Sequence, residues 1–292
     1  MSVKVFIDST GDLTKELRTK YDIDYFPMTV SIDDRQIVAS LDYDQGLTIK
    51  DFYDVMRNGK RVFTSQVPNP VFEEGFERVL SQGNDILYIA CSGKLSASVR
   101  AAEVIAKKFR AKYPNRRIEV IDALISGFGQ GEMAIRASTL LREGKTLDEV
   151  VAWIEENKLK FNQFGVVETL KYLKQAGRVS ASSAFFGNLF AVKPIIISTR
   201  NGENLAAYKV KGQKAAWKEA ARLTVEAAED IENKTVYVSH ADNLEGAEYL
   251  KDEILKLAKP KEVVVADLGP IIGASVGPGT VISYVFGKEV TI

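Results

Sequence analysis

The sequence predicts an α/β protein with two domains: an N-terminal three-layer domain on a parallel sheet and a C-terminal α/β domain with a mixed sheet. In the first half, short β-branched runs are each followed by a polar turn and a helical segment, the βα pattern of a parallel sheet. In the second half, an Asn-Gly pair separates two apolar runs, which is typical of an antiparallel hairpin. A length of 292 residues suits two domains.

Three βα units account for the N-terminal half. Thr14 is expected to cap the first helix, the second helix ends near Lys112, and the third covers about residues 127–142. Each helix follows an apolar run that is short enough to be a buried strand. The predicted strands are residues 3–7, 86–90 and 118–121.

The C-terminal half has a different order of elements. A helical stretch begins at Glu168, and a second helix is expected over about residues 213–231. Asn201-Gly202 is expected to form the turn of a hairpin. We place the domain boundary near Phe164, which gives domains of residues 1–164 and 165–292. The predicted strands are residues 195–198, 205–210, 236–239, 263–266 and 281–286.

Composition argues against several classes of protein. Lys+Arg and Asp+Glu are both 39, and this balance disfavours nucleic acid as the main partner because phosphate binding usually leaves a basic excess. Cys91 is the one cysteine, so no disulfide can form within the chain. The N-terminus resembles a strand rather than a signal peptide, and no apolar run is long enough to cross a bilayer. We expect a cytoplasmic protein with no stable membrane insertion.

Hydroxyl side chains follow two of the predicted apolar runs. Thr64-Ser65-Gln66 is expected in a loop before a helix that starts near Pro68, and Ser92 follows the strand of residues 86–90. Ligands of open α/β sheets bind beyond the carboxyl ends of the strands, where helix N-termini favour anions. The alternative is that these serines and threonines only cap helices. From the residues alone, a small-anion site and ordinary capping both remain open.

Six short motifs occur in an order that resembles the DegV family. No single motif is specific, but together they cover essentially the whole chain. They are Asp8-Ser9-Thr10-Gly11-Asp12-Leu13, Thr64-Ser65-Gln66, Ser92-Gly93-Lys94-Leu95-Ser96, Gly177-Arg178-Val179-Ser180, Lys193-Pro194 and Gly277-Pro278-Gly279.

The resemblance implies a protein that buries a long-chain fatty acid, such as palmitate, between its two domains. It implies that Thr64, Ser65, Ser92 and Ser96 hold the carboxylate, with Arg178 facing the head group or a partner. Several family members present the lipid to a separate, dihydroxyacetone-kinase-like fatty-acid kinase, and the carrier itself has no nucleotide site, cofactor or catalytic residue. Expected tunnel-lining residues are Phe128, Phe164, Phe185, Phe186, Leu189 and Phe190.

The chain departs from the family pattern near its C-terminus. The family usually has a histidine where this chain has Ser275, which offers a neutral donor to the ligand. Gly93, Ala97 and Lys211 also replace residues that are common in the family. The change at Ser275 bears more on activation of the lipid than on its binding. A lipid-responsive sensor with no kinase partner is therefore an alternative.

A hydrolase or phosphatase is the second alternative, since reactive residues such as Ser92 lie at predicted strand ends. Asp8, Asp12 and Asp122 suggest a metal-dependent phosphatase, although each also suits a turn. His240 near Asp242 suggests a general base, and Cys91 a nucleophile.

Two further motifs fail as catalytic signatures. The stretch from Gly273 to Gly277 fits the nucleophile elbow Gly-x-Ser-x-Gly, but no histidine follows it in the chain. The turn around Lys94 lacks the first glycine of a P-loop, where Leu87 stands instead. We expect no catalytic residue, no metal and no cofactor.

Overall fold

The N-terminal half is built on a four-stranded parallel sheet in the computed structural model, which describes residues 2–33, 35–181 and 191–292. The sheet order is β2-β1-β6-β7, so the three predicted strands are confirmed and one more is added at the edge. Nearly every side chain of the central strands is buried, as in a sheet that is covered on both faces. The strands are β1 (Val3–Asp8), β2 (Ile23–Phe26), β6 (Asp85–Ala90) and β7 (Ile118–Asp122).

Two groups of helices cover this parallel sheet. One group pairs α1 with α5, and the other pairs α3 with α4. Thr14 caps the first helix as predicted, because its side chain accepts the Leu17 N–H at 3.3 Å. The helices are α1 (Lys15–Tyr21), α3 (Asn69–Leu80), α4 (Ser98–Lys112) and α5 (Phe128–Arg142). The result is the predicted three-layer arrangement.

A small antiparallel sheet between β2 and α3 is absent from the sequence prediction. Its order is β4-β3-β5, with β3 (Met28–Ile32), β4 (Arg35–Ala39) and β5 (Val62–Ser65). The helix α2 (Ile49–Arg57) lies between the last two strands in the chain. Thr64 and Ser65 therefore end a strand, and their expected place in a loop is wrong. Short strands of four or five residues give too little alternation to be recognised from sequence.

The C-terminal half contains a six-stranded mixed sheet of order β10-β9-β8-β13-β11-β12. Only β11 and β12 pair in parallel within it, and the predicted hairpin is confirmed as the antiparallel pair β9 and β10. The expected boundary after Phe164 falls inside β8, since this sheet already begins at Phe161. The strands are β8 (Phe161–Val166), β9 (Val192–Ser198), β10 (Asn204–Lys211), β11 (Thr235–His240), β12 (Glu262–Asp267) and β13 (Val281–Phe286).

The remaining helices pack against this sheet or join the two halves. The helices α8 (Gln213–Ala227) and α9 (Leu244–Leu257) cover one face, while α5 contacts the strands β8 and β13. The predicted helix of residues 213–231 is too long, because the backbone turns extended at Ala228. No described helix is long and apolar enough to cross a membrane. The others are α6 (Leu147–Asn157), α7 (Lys171–Ala176) and α10 (Pro270–Val276).

The helix α10 joins the two halves of the chain. It contacts α2, β3 and β5 of the N-terminal half as well as α7. Its first turn is held by Asp12, whose Oδ1 accepts the Gly269 N–H at 3.0 Å. Asp12 is buried, and burial raises the pKa of its carboxyl well above the ordinary value. A group that is costly to ionise therefore lies at the junction of the domains.

Asp12→Asn tests this junction, because asparagine keeps an oxygen for the Gly269 N–H and removes the titrating group. As pH rises above about 4, the unfolded chain loses the Asp12 proton while the folded chain keeps it, so the wild type loses stability. We expect its free energy of unfolding to fall relative to Asp12→Asn by about 1.4 kcal/mol per pH unit until the folded-state pKa is reached. Urea unfolding between about pH 4 and 7 measures this slope.

Asp230→Asn is the matched control, since Asp230 also has a positive φ but is exposed. Its difference from the wild type is expected to stay flat over the same pH range. A flat difference for Asp12→Asn as well would contradict a raised pKa at Asp12.

Candidate functional site

A cavity of about 360 Å³ lies between the two halves of the chain. Its volume is within the range of small-molecule sites, roughly 300–1,000 Å³. Exposed polar residues, buried polar residues and aliphatic residues all line the cavity. Strands β3, β8, β9 and β13, the turn after β6 and the helix α10 all contribute to the walls. The apolar lining residues are Met28, Leu95, Ala97, Ile196, Ile271, Ile272, Val276 and Ile282.

Five of the six predicted site residues meet at one end of this cavity. Thr64, Ser65 and Ser96 bring hydroxyls from the N-terminal half, while Arg178 and Ser275 come from the C-terminal half. Arg178 carries the only formal charge among the described lining residues, and none of these residues is acidic. The arrangement favours a small anion that neutral donors hold beside one guanidinium.

This polar end opens towards a smaller surface cleft. The cleft has a volume of about 110 Å³ and shares Thr64, Arg178 and Ser275 with the cavity. Lys60 and Arg61 also line it, so the cleft is basic. Four of the predicted site residues therefore lie where the cavity meets solvent, since Ser65 and Arg178 are exposed and Thr64 and Ser275 are partly exposed.

Ser98 brings the two N-terminal segments of the site together. Its Oγ accepts the Val67 N–H at 3.2 Å, directly after the Thr64–Gln66 segment. The same Oγ hydrogen-bonds the Ser96 hydroxyl at 3.0 Å. Ser98 is fully buried at the start of α4, where sequence reasoning treats a serine as an ordinary helix-start residue. It is a positioning residue that the sequence prediction missed.

Ser92 is the predicted site residue that the structure does not place on the cavity wall. It is fully buried, and its Oγ donates to the Gly202 carbonyl at 2.8 Å and accepts the Lys94 N–H at 3.2 Å. Gly202 has a φ of +78°, and a Cβ there would lie 2.2 Å from the Ser92 Oγ. The tip of the β9–β10 hairpin thus docks on Ser92, which joins the domains instead of facing a ligand.

Arg178 has a structural role as well as a place on the cavity wall. Its Nε donates to the Leu95 carbonyl at 3.0 Å, and its Nη1 donates to the Ala176 carbonyl at the end of α7. The guanidinium therefore links the turn after β6 to the C-terminal half. Its position at the end of α7 is also compatible with the head-group contact that the family resemblance implies.

Ser275 lies in the last turn of α10. Its hydroxyl donates to the Ile271 carbonyl at 3.3 Å, one helical turn earlier. A hydroxyl bonded in this way still has oxygen lone pairs for a donor, but it must rotate to donate to an anion. Because Ser275 sits inside a helix, the Gly-x-Ser-x-Gly stretch lacks the strand-to-helix turn of a nucleophile elbow.

The buried part of the cavity has polar residues that the sequence prediction missed. Gln163 Nε2 donates to Asn204 Oδ1 at 2.8 Å, and Asn204 Nδ2 donates to the Arg178 carbonyl at 3.2 Å. Tyr284 and Cys91 lie on the same walls, and burial raises the pKa of both side chains. Strand alternation predicts which face these residues share, but not that a cavity opens on it.

Two of the six expected tunnel residues, Phe128 and Phe164, lie within the described part of the chain, and both belong to the hydrophobic core. Phe128 is fully buried and stacks on Tyr237 with ring centroids 4.8 Å apart, and Phe164 belongs to the core under α8. Neither is among the described residues that line the cavity. Large apolar side chains at helical or strand spacing are more often core. The other four, Phe185, Phe186, Leu189 and Phe190, lie outside the described residues.

The strand-end aspartates have structural partners. The Asp8 carboxylate accepts hydrogen bonds from Thr10, Tyr88 and Cys91, and Asp122 accepts the N–H groups of Gly93 and Leu124. In the part of the chain that the structure describes, no three acidic, histidine or cysteine side chains are grouped as a metal site requires. These carboxylates organise turns.

His240 lies at the end of β11, away from the residues that line the cavity. Its Nδ1 accepts the Asn243 N–H at 3.3 Å and is 3.4 Å from Asp267, and burial lowers the pKa of the imidazole. Asp242 instead pairs with Arg57 at 2.5 Å across the domains. The suggested pair of His240 and Asp242 is therefore replaced by two separate contacts.

A family model described as an uncharacterised protein of the DegV family matches residues 2–287 of this chain. The chain belongs to the DegV family. A DegV domain-containing protein of Clostridium perfringens is 32% identical over 283 residues, which are 97% of each chain.

Solved DegV structures agree with this fold over nearly the whole length. A fatty-acid-binding DegV protein of Thermus thermophilus has a TM-score of 0.89 and 29% identity, covering 99% of this chain and all of its own. DegV of Bacillus subtilis, described as a fatty-acid-binding protein, has a TM-score of 0.82 and 25% identity, with 99% and 100% covered. The predicted fold class is confirmed.

Ser92→Ala tests whether this residue joins the domains. Removing the hydroxyl leaves the buried Gly202 carbonyl without its donor, which costs about 1–3 kcal/mol of unfolding free energy. Chemical denaturation measures the loss, and Ser81→Ala, at an exposed helix end, is the control with little expected change. Equal stability of Ser92→Ala and the wild type would contradict the docking of the hairpin on Ser92.

Proposed function

We propose that this DegV-family chain binds a long-chain fatty acid. The observation that carries the proposal is one cavity with hydroxyls and a guanidinium at one end and aliphatic walls beyond them. Thr64, Ser65 and Ser96 hold the carboxylate, with Arg178 and Ser275 beside it. Ser92 is left out of this set because its hydroxyl is bonded to Gly202.

The apolar walls account for most of the affinity in this proposal. A tail of about a dozen methylenes offers about 10 kcal/mol, at roughly 0.8 kcal/mol each, before the entropy of binding is subtracted. Ile271, Ile272 and Val276 of α10 and Ile196 and Ile282 of the mixed sheet provide the contact surface. The tail therefore determines how tightly the lipid is held, and the polar end determines which way it points.

Hydroxyl donors suit a carboxylate at the mouth of the cavity. They donate hydrogen bonds without adding charge that would itself need a partner, and a bond to an ionised acceptor is stronger than a neutral one. Arg178 supplies positive charge near solvent, where the carboxylate is only partly desolvated. The absence of acids among the described lining residues removes any like-charge repulsion.

The comparisons support the same ligand class. The Thermus thermophilus and Bacillus subtilis relatives are both described as fatty-acid-binding, at 29% and 25% identity. A Thermotoga maritima protein at 26% identity, with a TM-score of 0.85, is also described as having a fatty acid binding function. Three relatives of one fold with the same described ligand favour a fatty acid over other small carboxylates.

A carrier role fits the chemistry of the site better than catalysis. The buried Cys91 thiol has a raised pKa, whereas a nucleophile needs its thiolate. Asp8 is fully used as an acceptor within the fold. His240 lies off the cavity wall. These features favour binding over hydrolysis.

We further propose that the bound carboxylate is presented to a separate, dihydroxyacetone-kinase-like fatty-acid kinase. The basic cleft at the cavity mouth, with Lys60 and Arg61, places cations where a phosphoryl donor must approach. Ser275, in place of the family's usual histidine, supplies only a neutral group there. The alternative is a lipid-responsive sensor that meets no kinase.

Bound lipid is the first test of the proposal. We expect organic extraction of the purified protein, or of protein incubated with palmitate, to release a long-chain fatty acid detectable by mass spectrometry. Thr64→Val and Ser96→Ala each remove a hydrogen bond to a charged acceptor, worth about 1.5–3 kcal/mol, so affinity falls roughly 10- to 100-fold. Calorimetric titration with palmitate measures the loss.

Ser92→Ala is the matched control for these variants and should keep its affinity while losing stability. The absence of both bound and added fatty acid would overturn the proposed function. Unchanged affinity in Thr64→Val and Ser96→Ala would place the carboxylate elsewhere in the cavity.

Reconstitution with a DegV-coupled fatty-acid kinase and ATP tests the presentation step. We expect the wild type to support acyl phosphate formation. Ser275→His should raise the rate by about 10-fold or more, because a protonated imidazole adds positive charge beside the carboxylate and the transferring phosphoryl group. No product with either protein would favour the sensor alternative, provided that both bind palmitate equally.

A further inference from the structure

Among the described residues, β12 is a free edge of the six-stranded sheet. It is the last strand in the sheet order and pairs with β11 in unbroken register from Glu262 to Asp267. Its centre is three valines in a row without a bulge, and its charged residues, Glu262 and Asp267, lie only at its two ends. An open, β-branched edge is suited to pairing with another strand.

The helix α9 carries an unusual stripe beside this edge. Leu244 and Leu255 are 57% and 45% exposed, and both belong to the small set of large exposed hydrophobic residues in the described chain. Glu248 and Lys251 lie between them and form an ion pair at 2.9 Å. Spacings of four, three and four residues place all four on one side of the helix. These residues are called the α9 stripe below.

The packing of α9 shows which way the α9 stripe faces. Leu250 and Ile254 are buried in the core between α9 and the sheet. Tyr249 packs against Trp217 of α8 with centroids 5.5 Å apart, and Gly246 lies close to the same ring. Helical geometry puts the stripe on the side opposite to α8. Since α9 contacts both β11 and β12, that side lies over the free edge of β12.

The α9 stripe is complementary to itself. The order of residue types is the same from either end of the stripe: a leucine, a charged residue, a residue of opposite charge and a leucine. The spacings of four, three and four residues are symmetric as well. When two copies of α9 pack antiparallel about a two-fold axis, Leu244 faces Leu255 of the other copy. In the same register Glu248 faces Lys251 of the other copy. One interface therefore contains two leucine pairs and two ion pairs, and such self-matching is the mark of a two-fold interface.

We propose that this chain forms a homodimer in which two β12 strands pair antiparallel and the two α9 stripes pack across the same two-fold axis. One two-fold axis, perpendicular to the sheet and beyond β12, relates both layers, because it pairs the β12 strands antiparallel and places the two α9 helices antiparallel on the same face. The helix α9 contacts β13 and β11 as well as β12, and its stripe faces the axis in both copies.

The partner is a second copy rather than an unrelated protein. Each leucine of the stripe faces a leucine of the other copy, and each charged residue faces a residue of opposite charge. The interface is separate from the fatty-acid site, since β12 and α9 contribute no residue to the cavity among those described. Failure of the dimer test would therefore leave the proposed function unaffected, and failure of the lipid-binding test would leave the dimer unaffected.

Sedimentation velocity on the full chain tests the dimer. We expect a species of twice the chain mass that grows with concentration up to about 0.5 mM, where even weak pairs associate. Leu255→Glu buries a charge against Leu244 and should reduce association at least about 10-fold. Leu257→Glu is the matched control, because Leu257 is 54% exposed on the same helix but lies outside the stripe, and it should still dimerise.

Charge reversal provides a second test that leaves the apolar contacts intact. Glu248→Lys creates facing lysines and should weaken association, whereas Glu248→Lys combined with Lys251→Glu should restore it. A monomer at every concentration would overturn the proposal. Equal loss in Leu255→Glu and Leu257→Glu, or no recovery in the doubly reversed protein, would exclude this interface even if the chain dimerises.

Discussion

The buried Asp8 carboxylate is the interaction on which the arrangement of the site depends. It accepts the Thr10 N–H at 2.9 Å, the Tyr88 hydroxyl at 2.7 Å and the Cys91 N–H at 3.1 Å. These bonds fix the ends of β1 and β6 side by side at the carboxyl edge of the parallel sheet. The turn that starts at Cys91 carries Ser92 to the hairpin of the other domain and Ser96 to the cavity. A buried carboxylate needs this many donors, and the fold provides them.

The site separates orientation from affinity. Thr64, Ser65 and Ser96 are neutral donors, and Arg178 is held by carbonyls at the solvent end, so little uncompensated charge is buried when the site is formed. The aliphatic residues of α10 and the mixed sheet supply the apolar surface of the cavity. Such a division suits a protein that must hold a lipid firmly while leaving its head group near solvent.

The sequence contains enough information for the large elements and for five of the six candidate residues to be found on one cavity. The strands β1, β6 and β7 are continuous apolar runs, and Asn201-Gly202 identifies the hairpin, because both signals are local. The small sheet of β3, β4 and β5 was missed because its strands are short. Ser92 and Ser96 lie in one turn and are alike as residue types. They differ because the Gly202 hairpin, 110 residues later, covers only Ser92, and tertiary docking of this kind leaves no local signal.

In the proposed binding mode, the carboxylate lies at the hydroxyl end of the cavity, beneath the basic cleft. A crystal structure with a fatty acid carrying a terminal bromine locates both ends of the ligand, since anomalous scattering identifies the end of the tail. We expect the carboxylate within about 3 Å of the Thr64, Ser65 or Ser96 hydroxyls, with the bromine at the far end of the chain. A carboxylate next to Gln163 and Tyr284, with the bromine at the mouth, would contradict this binding mode.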